Sequence, residues 1–167
     1  SDVFFAGQSP WERDARVRIS TVIYENGRYR LWYSFTRTSK ASDSFTAYAE
    51  SSDGFEWERP ELGLVEFEGS TKNNIVSSPE HFLQTIFIDP DAPPESRYKA
   101  IAPQGRYFRN GKYDPNMTQQ EARKLMRDLD LGGVAPEDRR KQIQIHSTVR
   151  ASVSPDGLRW TNLEDPL

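Results

Sequence analysis

The heptapeptide Ser51-Ser52-Asp53-Gly54-Phe55-Glu56-Trp57 returns as Ser154-Pro155-Asp156-Gly157-Leu158-Arg159-Trp160, 103 residues on (51 to 154). Both copies read Ser-x-Asp-Gly-x-x-Trp, and both follow an alternating, β-prone run, residues 45–50 and 146–151. An Asp-Gly pair at the end of such a run predicts a hairpin. Glycine supplies the positive φ, aspartate bonds its own turn backbone, and tryptophan anchors the outgoing strand. A chain that repeats this unit is an antiparallel β-protein.

The segments around each copy extend the reading. Residues 18–24 alternate as a strand, Asn26-Gly27 gives the strongest short-range hairpin signal, and residues 29–35 form the partner strand. The third strand ends in the first Asp-Gly turn, and residues 55–59 are expected to be the fourth. The second unit repeats the plan: a strand over 82–88, a proline-rich turn, a strand over 97–102, a third over 143–153 and a fourth opening at Leu158-Arg159-Trp160. An insertion over 104–141 interrupts it. There Thr118-Gln119-Gln120-Glu121 reads as a capping box, residues 122–129 as a helix, and Gly132-Gly133 as its end.

The fold class expected is therefore all-β, with antiparallel four-stranded propeller blades and a helical insertion in the second. The chain is one domain over 1–167: blade one at about 16–60, a connector over 61–80, and blade two at about 81–167 carrying the insertion over 104–141. The competing architecture is a single eight-stranded sandwich or barrel. A blade leaves an apolar face that a neighbour must cover. Two blades do not close a ring, so the expectation is a fragment of a longer protein, partnered by the remaining blades or by a second copy.

Composition removes several functions. The formal charge is −3, from 22 Lys and Arg against 25 Asp and Glu, so no basic field points to nucleic acid. No apolar run approaches the roughly 20 residues that span a bilayer, which argues against a membrane partner. Cysteine is absent, and the two histidines, His81 and His146, lack metal-ligand spacing. No phosphate-binding glycine loop or nucleophile elbow occurs. No metal and no cofactor is expected.

The stretches Tyr29-Arg30-Leu31-Trp32-Tyr33, residues 48–64, Gly69-Ser70-Thr71-Lys72-Asn73-Asn74-Ile75-Val76 and Arg97-Tyr98-Lys99-Ala100 resemble the five-bladed β-propeller proteins related to glycoside hydrolase families 32 and 43. The resemblance covers residues 11–160 apart from the insertion. It implies two blades of a five-bladed ring, an oligosaccharide or glycoside substrate, an axial pocket, and a secreted or periplasmic location. It also implies acidic residues on the innermost strands, where one carboxyl protonates the leaving oxygen and a carboxylate attacks or activates water. The family's first acid stands about seven residues before the hairpin glycine, and counting back from Gly27 reaches Ser20. Here the sequence departs from the pattern, and residues 19–24 hold no carboxylate.

In a propeller the ligand face is built by the loops entering each innermost strand and joining its second and third strands. The loop Trp11-Glu12-Arg13-Asp14 is the densest chemistry among them, and Glu12 and Asp14 are the candidate catalytic carboxylates. Trp11 would stack on a sugar, Arg16, Arg18 and Arg37 would orient hydroxyls or a carboxylated sugar, and Asn73, Asn74, Glu80 and His81 would line the pocket. Each has a plainer reading as an edge-loop, turn-capping or solvated residue. Asp53, Asp156, Asp89 and Asp91 are turn residues. The functional expectation is a glycoside hydrolase, with a non-catalytic glycan-binding or scaffold β-domain as the alternative.

Overall fold

A computed structural model describes residue 5 and residues 7–38 and 44–163. Of the expected ligand-side loop over 36–44, residues 39–43 lie outside the described residues, as does the terminal stretch 164–167. The chain is mostly antiparallel β-sheet and divides into two units. The first comprises residues up to 102 and from 151, and the second is the stretch 103–150.

The first sheet has the order β1 (Ala15–Glu25), β2 (Arg28–Arg37), β3 (Ser44–Ser51) and β4 (Ile75–Ser77). Asn26 and Gly27 both adopt positive φ, 52° and 80°, the conformation a two-residue hairpin between twisted strands needs. The fourth strand is not the segment 55–59. That segment meets β3 only at Glu58, which exchanges two backbone hydrogen bonds with Glu50. After an excursion the chain returns to the same edge of β3 as β4.

In the second sheet β5 (Thr85–Ile88), β6 (Tyr98–Arg109), β8 (Ile143–Ser154) and β9 (Thr161–Asn162) follow in that order, with β7 (Lys112–Tyr113) pairing β6. The innermost strand begins at Thr85 rather than residue 82, because Pro79–His81 forms a 3-10 turn ahead of it. The last strand begins at Thr161, after the hairpin tryptophan. Among the described residues neither sheet closes on itself.

Within the first unit the sheets meet through Trp32, Tyr48, Ile86, Tyr98 and Ala100, all buried. The opposite face of the first sheet presents Leu31, Tyr33, Phe35, Ala47 and Ile75, covered by Phe5, Trp11, Trp57, Val65 and Phe67. Fully burying one such aliphatic side chain contributes roughly 1.5–3 kcal/mol. Both faces of β2 are therefore interior. The second sheet differs: Ile86 and Ala100 pair inward, while the register puts Phe87 and Ile101 on its other, exposed face.

The serine, aspartate and glycine of the repeated motif make the same turn hydrogen bonds in both copies. Asp53 Oδ1 accepts from Phe55 N and Glu56 N at 2.8 and 2.9 Å, and Asp156 Oδ1 accepts from Leu158 N and Arg159 N, both at 2.8 Å. The Ser51 and Ser154 hydroxyls accept from the glycine N–H at 2.8 and 2.9 Å and hydrogen-bond the aspartate.

The second unit holds α1 (Gln119–Leu131) and α2 (Pro136–Gln142). Thr118 caps α1 by accepting from Glu121 N, and Gly133 follows with φ +73°. The helix begins and ends a little outside the expected 122–129, and α2 is an addition to the expectation. Met117, Ala122 and Ile143 form a separate small core with Tyr107, Leu125 and Leu129.

Candidate functional site

The face of the first sheet that packs on the second changes character along β2. At one end Trp32 and Tyr48 are buried core; beyond Trp32 the same face carries Ser34 and Thr36. Strand β1 contributes Arg16 opposite Thr36 and Arg18 opposite Ser34. Residues directly opposite in an antiparallel pair share a face, so two guanidinium groups and two hydroxyls lie on one side.

A β-bulge then intervenes. Ile19 pairs with Tyr33 and Thr21 with Trp32, leaving Ser20 as the extra residue. Beyond it the alternation is inverted, so Thr21 and Ile23 take the face that Arg16 and Arg18 occupied. Thr21 Oγ1 accepts from Ile86 N at 3.2 Å, fixing β1 to β5. Thr46, fully buried on β3, donates to Leu83 O and accepts from Leu83 N, both at 3.0 Å. These two threonines hold the segment entering β5 against the polar end of the first sheet.

The result is a cleft of about 360 Å³. Arg18, Ile19 and Ser20 form one wall, Ser34, Thr36 and Ser44 the floor, and Phe82, Gln84 and Thr85 the opposite wall. Thr36 Oγ1 and Ser44 Oγ are 2.8 Å apart. Its size falls at the small end of the range for ligand pockets, roughly 300–1,000 Å³. Bulges recur beside binding sites because they re-aim a side chain. Here the bulged residue is Ser20.

Glu12 lies elsewhere and is enclosed. Its side chain is 0% exposed, at the end of the 3-10 turn Pro10–Glu12. The carboxylate accepts from Gln8 N at 2.7 Å, Ser9 N at 2.9 Å, Arg59 Nε at 3.4 Å and the Tyr33 hydroxyl. Burial, with this carboxylate beside it, pushes the Tyr33 phenol well above the ordinary tyrosine range. Asn74 donates to Tyr33 Oη at 2.7 Å and accepts from Trp11 Nε1 at 3.1 Å, which locks the indole. Asp14 is exposed in a left-handed turn (φ +54°) whose carbonyl accepts from Thr38 N.

The other expected residues scatter. Arg37 pairs with Glu68 at 3.0 Å and lies over Phe67. Buried Asn73 donates to Val65 O and Ser70 O and accepts from Ile75 N, shaping the return of the chain into β4. Trp11 and Asn73 border a second depression of about 270 Å³ with Phe67 and Lys72. Exposed His81 has its Nδ1 at 2.7 Å from Asn162 Nδ2, and Glu80 precedes it in the same 3-10 turn. Of the expected site residues the cleft gathers Arg18, with Arg16 on the same face of β1. Ser20, Ser34, Thr36, Ser44, Gln84 and Thr85 join it without having been singled out as ligands.

The motif aspartates are held as anions. Asp53 is lowered by the N–H groups of Glu56 and Phe55. At Asp156 burial acts upward and is outweighed by the N–H groups of Arg159 and Leu158 and by Arg159. Among the described residues no group of three or more His, Asp and Glu side chains is arranged to hold a metal, and no helix is long and apolar enough to cross a membrane. Comparison with known proteins finds no matching family model, curated protein or solved structure.

Proposed function

We propose that the chain is a pair of β-propeller blades that binds a hydroxylated carbohydrate ring in the inter-sheet cleft without hydrolysing it. The observation that carries this reading is the lining: hydroxyls from both sheets, one amide, one aromatic ring and one arginine, with no carboxylate among the described lining residues. Paired hydroxyls and amides match the donors and acceptors of a sugar, and Phe82 offers an apolar surface to its C–H face. Glycoside hydrolysis needs two carboxyl groups at the bond. Glu12, enclosed by four donors, does not reach the cleft lining, and Asp14 sits on an exposed turn. The exposed Phe87 and Ile101 face is where a further blade, or a second copy, would pack.

Calorimetric titration with a panel of oligosaccharides, paired with a reducing-sugar assay, tests the reading. Binding without sugar release is expected, weakened about tenfold when Ser34→Ala and Thr36→Val are combined, since each neutral hydrogen bond contributes roughly 0.5–1.5 kcal/mol. Release of reducing sugar that disappears in Glu12→Gln or Asp14→Asn would restore the hydrolase reading instead.

A further inference from the structure

Arg16 and Arg18 stand two residues apart on the cleft face of β1, opposite Thr36 and Ser34. Both are exposed, and among the described residues neither guanidinium has an ion-pair partner. The other arginines of the first unit's β-strands differ. Arg28 pairs with Glu50 and Glu58, Arg30 with Glu25, and Arg37 with Glu68. Among the described residues of the first unit, the strand arginines without an acidic partner are thus the two beside the cleft, and Arg18 lines it.

We propose that the ligand is an acidic saccharide whose anionic ring substituent is taken by Arg18, with Arg16 adding to the local field. This rests on the carbohydrate reading of the cleft and names the class of sugar within it. A guanidinium presents a rigid fork of donors that matches a carboxylate bidentately and also suits a sulfate ester. Ser20 borders the same cleft; Ser34, whose hydroxyl makes a long 3.5 Å contact to Arg18 O, and Thr36, paired with Ser44 at 2.8 Å, keep acceptor lone pairs for the ring. No acidic side chain stands among the described lining residues to repel the ligand's charge. A neutral sugar would leave Arg18 without a specific role, since a solvated arginine gains little from hydroxyls alone.

The test is calorimetric titration of the chain with oligogalacturonides, sulfated galactan oligosaccharides and neutral galacto-oligosaccharides. At least one acidic series should bind about tenfold or more tightly than the neutral one, in line with hydrogen bonds to charged groups. The advantage should shrink as salt rises. Arg18→Gln should remove it with an unchanged melting midpoint, because the side chain is exposed. Arg37→Gln, outside the cleft, should leave it intact. Preference for carboxylate or sulfate then identifies the substituent. Equal affinity for neutral and acidic sugars, unaffected by Arg18→Gln, overturns the acidic assignment and keeps the carbohydrate cleft. Failure of every series to bind overturns both.

Discussion

Gly54 and Gly157 occupy the same place in the two copies of the motif, with φ of +81° and +75°. Their surroundings separate them. The nearest atoms to a Cβ at Gly54 would be those of the Tyr29 ring, from 3.4 Å, whereas at Gly157 it would stand 2.8 Å from Trp32 Cζ2 and 3.1 Å from Tyr98 Cδ1. Trp32 also donates its indole N–H to Gly157 O at 2.8 Å, so the hairpin cannot retreat without breaking that bond. Gly54→Ala should cost about 1–2 kcal/mol, the left-handed penalty alone. Gly157→Ala adds overpacking and should cost about 2–5 kcal/mol in urea unfolding. Equal costs would mean that the second hairpin does not pack on Trp32 as described. Glu12→Ala removes the acceptor of four donors in the interior, Arg59 among them, and should destabilise by about 3–5 kcal/mol. Because Glu12 does not line the cleft, the folded fraction of that variant should retain ligand affinity.

At the scale of elements, the join between the two sheets is a charged clamp. Arg30 of β2 donates to Tyr48 Oη at 3.0 Å, to Glu25 Oε2 at 3.2 Å, to Asp156 O at 2.6 Å and to Tyr98 Oη, and lies 5.0 Å from the Trp32 and Tyr98 ring centres. Arg97 pairs with the other Glu25 oxygen at 2.7 Å. Burial acts to raise the Glu25 carboxyl, but hydrogen bonds from Tyr98 and Arg30 and the charges of Arg97 and Arg30 outweigh it and hold it below the ordinary glutamate range. Tyr98, buried and bonded to Glu25, is pushed up to about 12. At Glu25 the unfolded chain therefore takes up a proton more readily than the folded one, and the clamp's stabilisation is complete above the ordinary glutamate pKa of about 4.3 and is lost as pH falls through the lower folded value. Urea midpoints recorded through that acid window should fall for the native chain and fall less steeply in Glu25→Gln, where the lowered Asp53 and Asp156 still contribute. How much was legible beforehand follows from how local each signal is. The Asn26-Gly27 hairpin, both Asp-Gly loops and the Thr118 cap depend on neighbours in sequence and could be read there. The fourth strand could not, because the edge of β3 is filled first by Glu58 and then by residues 75–77. The bulge at Ser20 inverts the face of β1 midway, which hides the cleft from any period-two reading. Helix α2 does carry a local signal: Pro136 opens it, Glu137 and Asp138 follow, and Arg139, Arg140 and Lys141 close it. Asn110-Gly111 likewise repeats the Asn26-Gly27 signal, with φ of 51° and 76°, between β6 and β7. The enclosure of Glu12 by Tyr33, Arg59 and the Gln8 and Ser9 amides could not be read either, because sequence shows a carboxylate's type and not its surroundings.

For the whole molecule, the question is whether the inserted unit matters to the fold that carries the cleft. Its core of Met117, Ala122 and Ile143 is built from its own residues, and the cores around Trp32 and Tyr33 contain none of them. Every described cleft residue lies between Arg18 and Thr85, outside the insertion. Thr148 Oγ1 donates to Gln104 O at 3.1 Å, so β6 and β8 run side by side at this level, several residues before β6 ends at Arg109 and after β8 begins at Ile143. A two-residue Asn-Gly turn can span that distance in place of residues 105–147, and a shorter connection costs less closure entropy, about 0.6 kcal/mol for each halving of a flexible loop. The shortened chain should unfold in one cooperative transition at a urea midpoint equal to or above that of the parent, and should bind the same saccharide with the same affinity. Loss of cooperative unfolding would show that the sheets depend on the insertion for their pairing. Retained folding with lost binding would show instead that the inserted unit supplies part of the ligand's contacts, and would move the site away from the cleft between β1 and β5.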